Sequence, residues 1–283
     1  MTHTTLISTD VLVEHLDAWA IVDCRFDLQR EAWGRDEYRR GHIPGAVYAS
    51  LNDDLSAPRT GSNGRHPLPS IDALASTMSR LGIDRTTQVV VYDQDSGLYA
   101  SRLWWSLRYL GHDAVALLDG GWAKWLREGR PVRTGDESRQ PAVFQPAPRS
   151  HMRLGIDEVI AGAGDARTLL VDARGPDRFE GRSETVDPVA GHIPGATNHF
   201  YKWNVTDEGA MLPVDALRQT FAALLGDRAP EDVVMYCGSG VSACHNLLAM
   251  AHAGLTGPKL YPGSWSEWSS DPARPIETGP AWK

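Results

Sequence analysis

The amino-acid sequence predicts an α/β protein made of two tandem copies of one unit, each a mainly parallel sheet flanked by helices. Three observations carry that expectation. The 283-residue chain is about twice the length of one modest domain. Short motifs of its first half return, in the same order, in its second. Within each half, short β-rich runs alternate with segments of helical periodicity, as in a parallel sheet whose crossovers are helices.

Each half begins with a β-rich run, Ala20–Val22 and Leu169–Val171, and Val22-Asp23-Cys24-Arg25 recurs as Val171-Asp172-Ala173-Arg174 after 149 residues. The hexapeptide GHIPGA at 41–46 returns intact at 191–196. Helices follow over IDALASTMSRLG, with Ser70 as its cap, and over VDALRQTFAALLG after Pro213, each ending in glycine. A second β-rich run, Val89–Tyr92, parallels Val233–Tyr236, and Gly121-Trp122-Ala123-Lys124-Trp125 parallels Ser264-Trp265-Ser266-Glu267-Trp268. A period near 145 residues far exceeds the roughly 50 of a solenoid unit, so the chain reads as a duplicated domain. Between the copies, PVRTGDESRQPAVFQPAPRS at 131–150 has no period and reads as a linker, which places one domain at 5–130 and the other at 151–280.

Composition removes several function classes. Apolar residues at 42% and charged residues at 23% fit a globular chain with a sizeable core. A net charge of −8 with no basic patch argues against nucleic acid, and the ten tryptophans read as packing residues. No stretch reaches the ~20 apolar residues of a membrane span. Even the longest, from Val241 to Gly257, carries His245 and His252 and reads as a buried helix. Three thinly spread cysteines and an opening MTHTTLISTD without a basic or apolar leader pattern lead us to expect a reducing, cytoplasmic setting.

Some repeated residues read as structural. His42 and His192 occupy matching places although only one half offers a nucleophile, so backbone hydrogen bonding is their expected role. The Asp23/Arg25 and Asp172/Arg174 couples, just past a strand, read as ion pairs.

The copies differ where the second β-rich run ends. The first half has Asp93-Gln94-Asp95-Ser96-Gly97, the second Cys237-Gly238-Ser239-Gly240-Val241-Ser242-Ala243. A free thiol at neutral pH is only a few per cent thiolate, and backbone N–H groups at a helix N-terminus are a common way to stabilise the anion. Gly238 and Gly240 let the loop curl inward, and Ser242 reads as the cap of the helix that follows. Cys24 and Cys244 read as small core residues. The loop formally matches G-x-G-x-x-A, but Leu260, Tyr261 and Pro262 stand where a ribose-binding acid belongs. A cysteine phosphatase needs arginine six residues after its cysteine, where this chain has Ala243. Cys237, Cys244 and His245 lack recognised zinc spacing, so no metal is expected.

Together, the duplicated VD-x-R and GHIPGA, the strand-end CGSGVSAC and the GSWSEW that follows resemble the two-domain rhodanese-type sulfurtransferases over roughly residues 5–280. The resemblance implies two tandem rhodanese-like α/β domains and a ping-pong reaction. Cys237 would take sulfur from a small-molecule donor, become a persulfide, and hand the outer sulfur to cyanide, a thiol or a thioredoxin-like protein. Gly238, Ser239, Gly240, Val241, Ser242 and Ala243 would form the anion-holding loop, with no cofactor, membrane or nucleic acid involved.

Within that family the neutral Gly-Ser-Gly resembles the 3-mercaptopyruvate enzymes rather than those preferring thiosulfate. By the same resemblance Ser239 polarises the donor, Arg178 before Phe179 binds its carboxylate, and His66 of GRHPLP with Asp54, or Asp53, completes the catalytic set. The second carboxylate-binding arginine of that subgroup is missing. Thr185-Val186-Asp187-Pro188 stands in its place, and Arg182 is the expected substitute. A thiosulfate-preferring enzyme and a sulfur-relay protein are the alternatives.

Overall fold

A computed structural model describes residues 2–280 apart from 163, 164 and 166, and the chain divides into two units. One takes the chain up to Ala57, Pro69–Arg149 and Val205–Met211. The other takes Pro58–Leu68, Ser150–Asn204 and the chain from Leu212 onward.

The first unit runs β1 (Leu6–Ile7), α1 (Thr9–Val13), β2 (Ala20–Asp23), α2 (Trp33–Arg40), β3 (Ala46–Tyr48), α3 (Ile71–Arg80), β4 (Val89–Tyr92), α4 (Ala100–Tyr109), β5 (Val115–Leu118) and α5 (Gly121–Arg127). Its strands lie in the order β1-β5-β4-β2-β3, every pair parallel, with Ile21 opposite Ala46 on one side and Val90 on the other. Every residue of β2, β4 and β5 is buried, which explains their unbroken apolar runs: helices cover both faces of such a sheet.

The second unit repeats the plan with α6 (Ile156–Gly162), β6 (Leu169–Asp172), α7 (Pro176–Phe179), β7 (Thr197–Asn198), α8 (Val214–Leu225), β8 (Val233–Tyr236), α9 (Ser242–His252), β9 (Lys259–Leu260) and α10 (Ser264–Trp268). Its parallel order is β7-β6-β8-β9, and a bridge from Arg153 to Leu260 extends it where β1 extends the first sheet. The chain is therefore one parallel α/β plan built twice in tandem. Among the described residues no helix is long and apolar enough to cross a membrane.

Helix α3 starts as the sequence predicts, the Ala73 N–H donating to Ser70 Oγ at 3.2 Å, and α8 is flanked by Pro213 at its N-cap and Gly226 at its C-cap. Helix α9 differs. Its N-cap is Val241, and Ser242 is already helical and caps nothing with its hydroxyl. Gly240, at φ +72, turns the chain one residue earlier than the cap residue alone suggested. The aperiodic stretch after Pro131 also has a definite place. Arg133 bridges to His42, Ala142 N–H donates to Ser79 O at 2.9 Å, and the ring of Phe144 is buried.

The duplicated motifs form the same contacts twice. Arg25 and Arg174 each bond the aspartate two residues earlier at 2.6 Å and reach the carbonyl of Gly41 or Gly191, tying the first long strand to the GHIPGA turn. His42 Nδ1 bonds Tyr38 O at 2.8 Å and His192 Nδ1 bonds Phe179 O at 2.7 Å, so both histidines stitch backbone together.

At the end of β4 stands Asp93, fully buried, in the place of Cys237. Its carboxylate accepts the N–H groups of Asp95, Gly97, Tyr99 and Ala100 at 2.7–3.3 Å, so the first half's loop is closed around a built-in anion. Burial, aided by Asp95, pushes this carboxyl up to about 6, against the pull of the amides. The folded chain thus holds this proton more tightly than an unfolded aspartate, which titrates near ~3.9. The stability it contributes is full below that pH and is lost as pH rises through about 6. Compared with Asp93→Asn, the wild type will lose about 1–3 kcal/mol between roughly pH 4 and pH 7. Urea unfolding of both proteins at the two pH values reads this directly, and parallel pH profiles would refute it.

Candidate active site at the end of β8

Strand β8 delivers Cys237 to the carboxyl edge of the second sheet, 2% exposed and with a free thiol. Its backbone is pinned from α10. Cys237 N–H donates to Ser264 Oγ at 3.1 Å, Trp265 N–H to Cys237 O at 2.9 Å, and Ser266 N–H to Gly238 O at 2.9 Å. The first half makes the two backbone bonds as well, from Trp122 to Asp93 and from Ala123 to Gln94. There the αL position is Gly121, at φ +54, whereas the second half places Ser264 at φ +56, a strained conformation for a residue with a side chain. The Ser264 hydroxyl, donating to Tyr261 O at 2.9 Å, explains why a side chain is kept there. The repeated W-x-x-W motif was legible in the sequence, but nothing in it pointed to the nucleophile's backbone.

The loop itself is open. Among the described residues, the amides of Gly238, Ser239, Val241, Ser242 and Ala243 have no protein acceptor, in contrast to the amides that surround Asp93. Cys244, in the first turn of α9, is buried and donates its thiol to Gly240 O at 3.3 Å, and Cys24 is buried in the first core. Burial pushes the Cys24 thiol well above its ordinary range.

Segment 58–68 brings two side chains to this loop. His66 Nδ1 lies 2.8 Å from Ser239 Oγ, and both residues are buried. Arg65, its neighbour, forms an ion pair with Asp187, whose other oxygen binds Arg178 Nη2 at 2.9 Å. Arg65 N–H donates to Ser266 Oγ at 2.9 Å, which fixes the segment against α10. A β-carbon at Gly238 would stand 2.9 Å from Arg65 Nη2, 3.5 Å from Asp187 Oδ2 and 3.6 Å from Arg178 Nη2, so this cluster covers the residue next to Cys237. Glu184 binds Arg178 Nε at 3.0 Å. Its burial would raise it, but the amides of Asp187 and Val186 and the Arg178 charge hold it below its usual range. At Asp187 burial prevails over the pull of Arg65 and Arg178 and pushes the carboxyl up.

The structure therefore brings together Cys237, Ser239, the rest of the loop, His66 and Arg178. It does not bring Arg182, which is 62% exposed and tied to Asp177 at 2.6 Å and Glu180 at 2.7 Å, the acids of its own short helix and turn. Asp54 accepts Ser50 N–H at 2.8 Å and pairs with Arg80 inside the first unit, while Asp53 is an exposed turn residue. The residue that sequence reasoning missed is Arg65. Its signal was its position beside His66 in GRHPLP, within a segment that belongs to the other half's unit.

The chain is similar to known proteins over nearly its whole length. The rhodanese-like domain family matches residues 8–128 and again 156–271. A probable 3-mercaptopyruvate sulfurtransferase of Pseudomonas aeruginosa is 46% identical over 261 residues, 92% of each chain. A thiosulfate sulfurtransferase of Gallus gallus is 32% identical over 252 residues, 88% of this chain and 85% of that one. The solved 3-mercaptopyruvate sulfurtransferase of Leishmania major superposes with a TM-score of 0.83 at 30% identity, over 94% of this chain and 74% of its own. With two matched domains and relatives that span nearly its whole length, the chain belongs to the rhodanese family, as a sulfurtransferase built from two rhodanese-like domains in tandem.

Proposed function

We propose that the protein moves sulfur from 3-mercaptopyruvate, and less efficiently from thiosulfate, to a thiophilic acceptor through a persulfide on Cys237. The Cys237 thiolate attacks the donor's sulfur. With mercaptopyruvate the carbon–sulfur bond breaks, its electron pair passes to the methylene carbon as an enolate, and the donor's thiol proton ends on that carbon as pyruvate is released. With thiosulfate the sulfur–sulfur bond breaks and its pair leaves with sulfite. In the second half-reaction cyanide, a thiol or a thioredoxin-like protein takes the outer sulfur and restores the thiolate. Ser239, held by His66, donates to the carbonyl oxygen on which enolate charge develops. Arg178 and Arg65 attract the donor's anionic end.

The observation that carries this reading is the contrast between the two equivalent loops. One is closed on the Asp93 carboxylate; in the other, the amides of Gly238, Ser239, Val241, Ser242 and Ala243 surround a cysteine and have no protein acceptor among the described residues. Such a set suits the thiolate and the persulfide alike, because several N–H groups can follow the negative charge as it moves outward by one sulfur–sulfur bond, about 2 Å. The preference for mercaptopyruvate rests on the Ser239–His66 pair, which serves a carbonyl that thiosulfate lacks. Intact-mass spectrometry tests the proposal. Wild-type protein treated with either donor will gain the mass of one sulfur, and Cys237→Ser will gain none. An unchanged wild-type mass, or an increment that survives the substitution, would overturn it.

A further inference from the structure

The two guanidinium groups over the loop are not waiting empty. Arg65 and Arg178 grip the two oxygens of one carboxylate, that of Asp187, and Arg178 also holds Glu184. Arg174, the remaining cation at Glu184, is committed to Asp172. The charged groups that meet at Gly238 and just behind it are thus two guanidiniums matched by two carboxylates, with the His66 imidazole at Ser239 beside them. We propose that Asp187 is a specificity-determining residue. It occupies part of the anion-binding capacity of Arg65 and Arg178, so that the site favours a donor carrying one negative charge over a donor carrying two.

The argument is electrostatic and rests on the sulfurtransferase reading above. In a buried site the interaction between neighbouring charges is far less screened than in water, and repulsion from a fixed carboxylate scales with the charge of the incoming ligand. A monoanionic carboxylate can share the two guanidiniums with Asp187. A dianion meets the same carboxylate with twice the charge, and the charge-balanced cluster has no surplus cation to offset it. Discrimination of this kind acts by a repulsive element rather than by better contacts to the preferred ligand. Asp187 is itself buried, so little solvent is in place to screen its charge.

The test compares Asp187→Asn, which keeps the shape and removes the charge, with Asp187→Glu, which keeps the charge. Asp187→Ser replaces the amide variant if thermal melting shows that the amide is not tolerated. The ratio of kcat/KM for thiosulfate to that for mercaptopyruvate should rise about tenfold or more in the neutral variant and stay near the wild-type value in the glutamate variant. Titration of the same variants in a Cys237→Ser background, with sulfate and with pyruvate as probes, separates this claim from turnover. Sulfate affinity should rise about tenfold more than pyruvate affinity when the charge is removed. An unchanged ratio in both measurements, or a glutamate variant that shifts it as much as the neutral one, would overturn the proposal. Loss of persulfide formation in the wild type would instead count against the sulfurtransferase reading and would leave the binding result standing.

Discussion

A His66→Ala protein will lose roughly 10²–10⁴-fold in kcat/KM for 3-mercaptopyruvate and will keep its thiosulfate activity within a few fold. The asymmetry follows from the leaving groups. Pyruvate departs as an enolate, whose developing oxygen charge needs a donor and whose carbon needs a proton. Sulfite departs as a stable anion and needs neither. His66 reaches the reaction through Ser239, 2.8 Å away and equally buried, so Ser239→Ala should show the same selective loss. The double variant should lose little more than either single one, because the two residues act as one unit. Side-by-side kinetics with both donors decides the matter. An equal loss for the two donors would place the role of His66 in supporting the loop or Cys237 rather than in polarising a carbonyl.

Arg174→Met will destabilise the chain by about 3–5 kcal/mol, the largest stability effect we expect from a single substitution outside the loop. Arg174 is 3% exposed and Asp172 wholly buried, and the guanidinium donates to both carboxylate oxygens, to Gly191 O and to Glu184 while lying over the Trp265 ring. Burial works against the Arg174 charge, yet Asp172 outweighs it and holds the pKa above its ordinary value. Removing the cation strands a carboxylate in the core beside Tyr236, the residue before Cys237. Replacing both partners with apolar residues should recover much of the loss, since the penalty lies in the unpaired charge rather than in the missing attraction. Urea unfolding of the two single variants and the double one checks this. A small and additive cost would show that water reaches the site and solvates the orphaned group.

Much of this was legible in the sequence, for a physical reason in each case. The strands are buried on both faces, so VVVY and VVMY could hardly be anything else. The VD-x-R and GHIPGA motifs recur because each half must close the same strand onto the same turn, and the pairing of Arg25 with Gly41 repeats that of Arg174 with Gly191. Cys237 was marked by its contrast with Asp93 in an otherwise conserved frame. What could not be read was long-range. Arg182 looked as available as any cation, and only the fold shows that Asp177 and Glu180 already hold it. Arg65 sat in a polar, aperiodic stretch whose partner Asp187 is 122 residues away, beyond the reach of any periodicity. The cap of α9 moved by one residue because a glycine's positive φ, and not the best capping side chain, decided where the helix begins.

The exchange of short segments between the two units has a consequence for how such a chain could be divided. A gene cut in the 131–150 stretch would encode a second fragment with the cysteine, its loop and Arg178, yet without Pro58–Leu68 and therefore without Arg65 and His66. The first fragment, in turn, would lack Val205–Met211, including the Met211 N–H that binds Asp119 at 2.7 Å. Each half keeps part of the other's equipment. A cut there would therefore part Arg65 and His66 from the loop they contact, and neither fragment would carry the whole of its own unit.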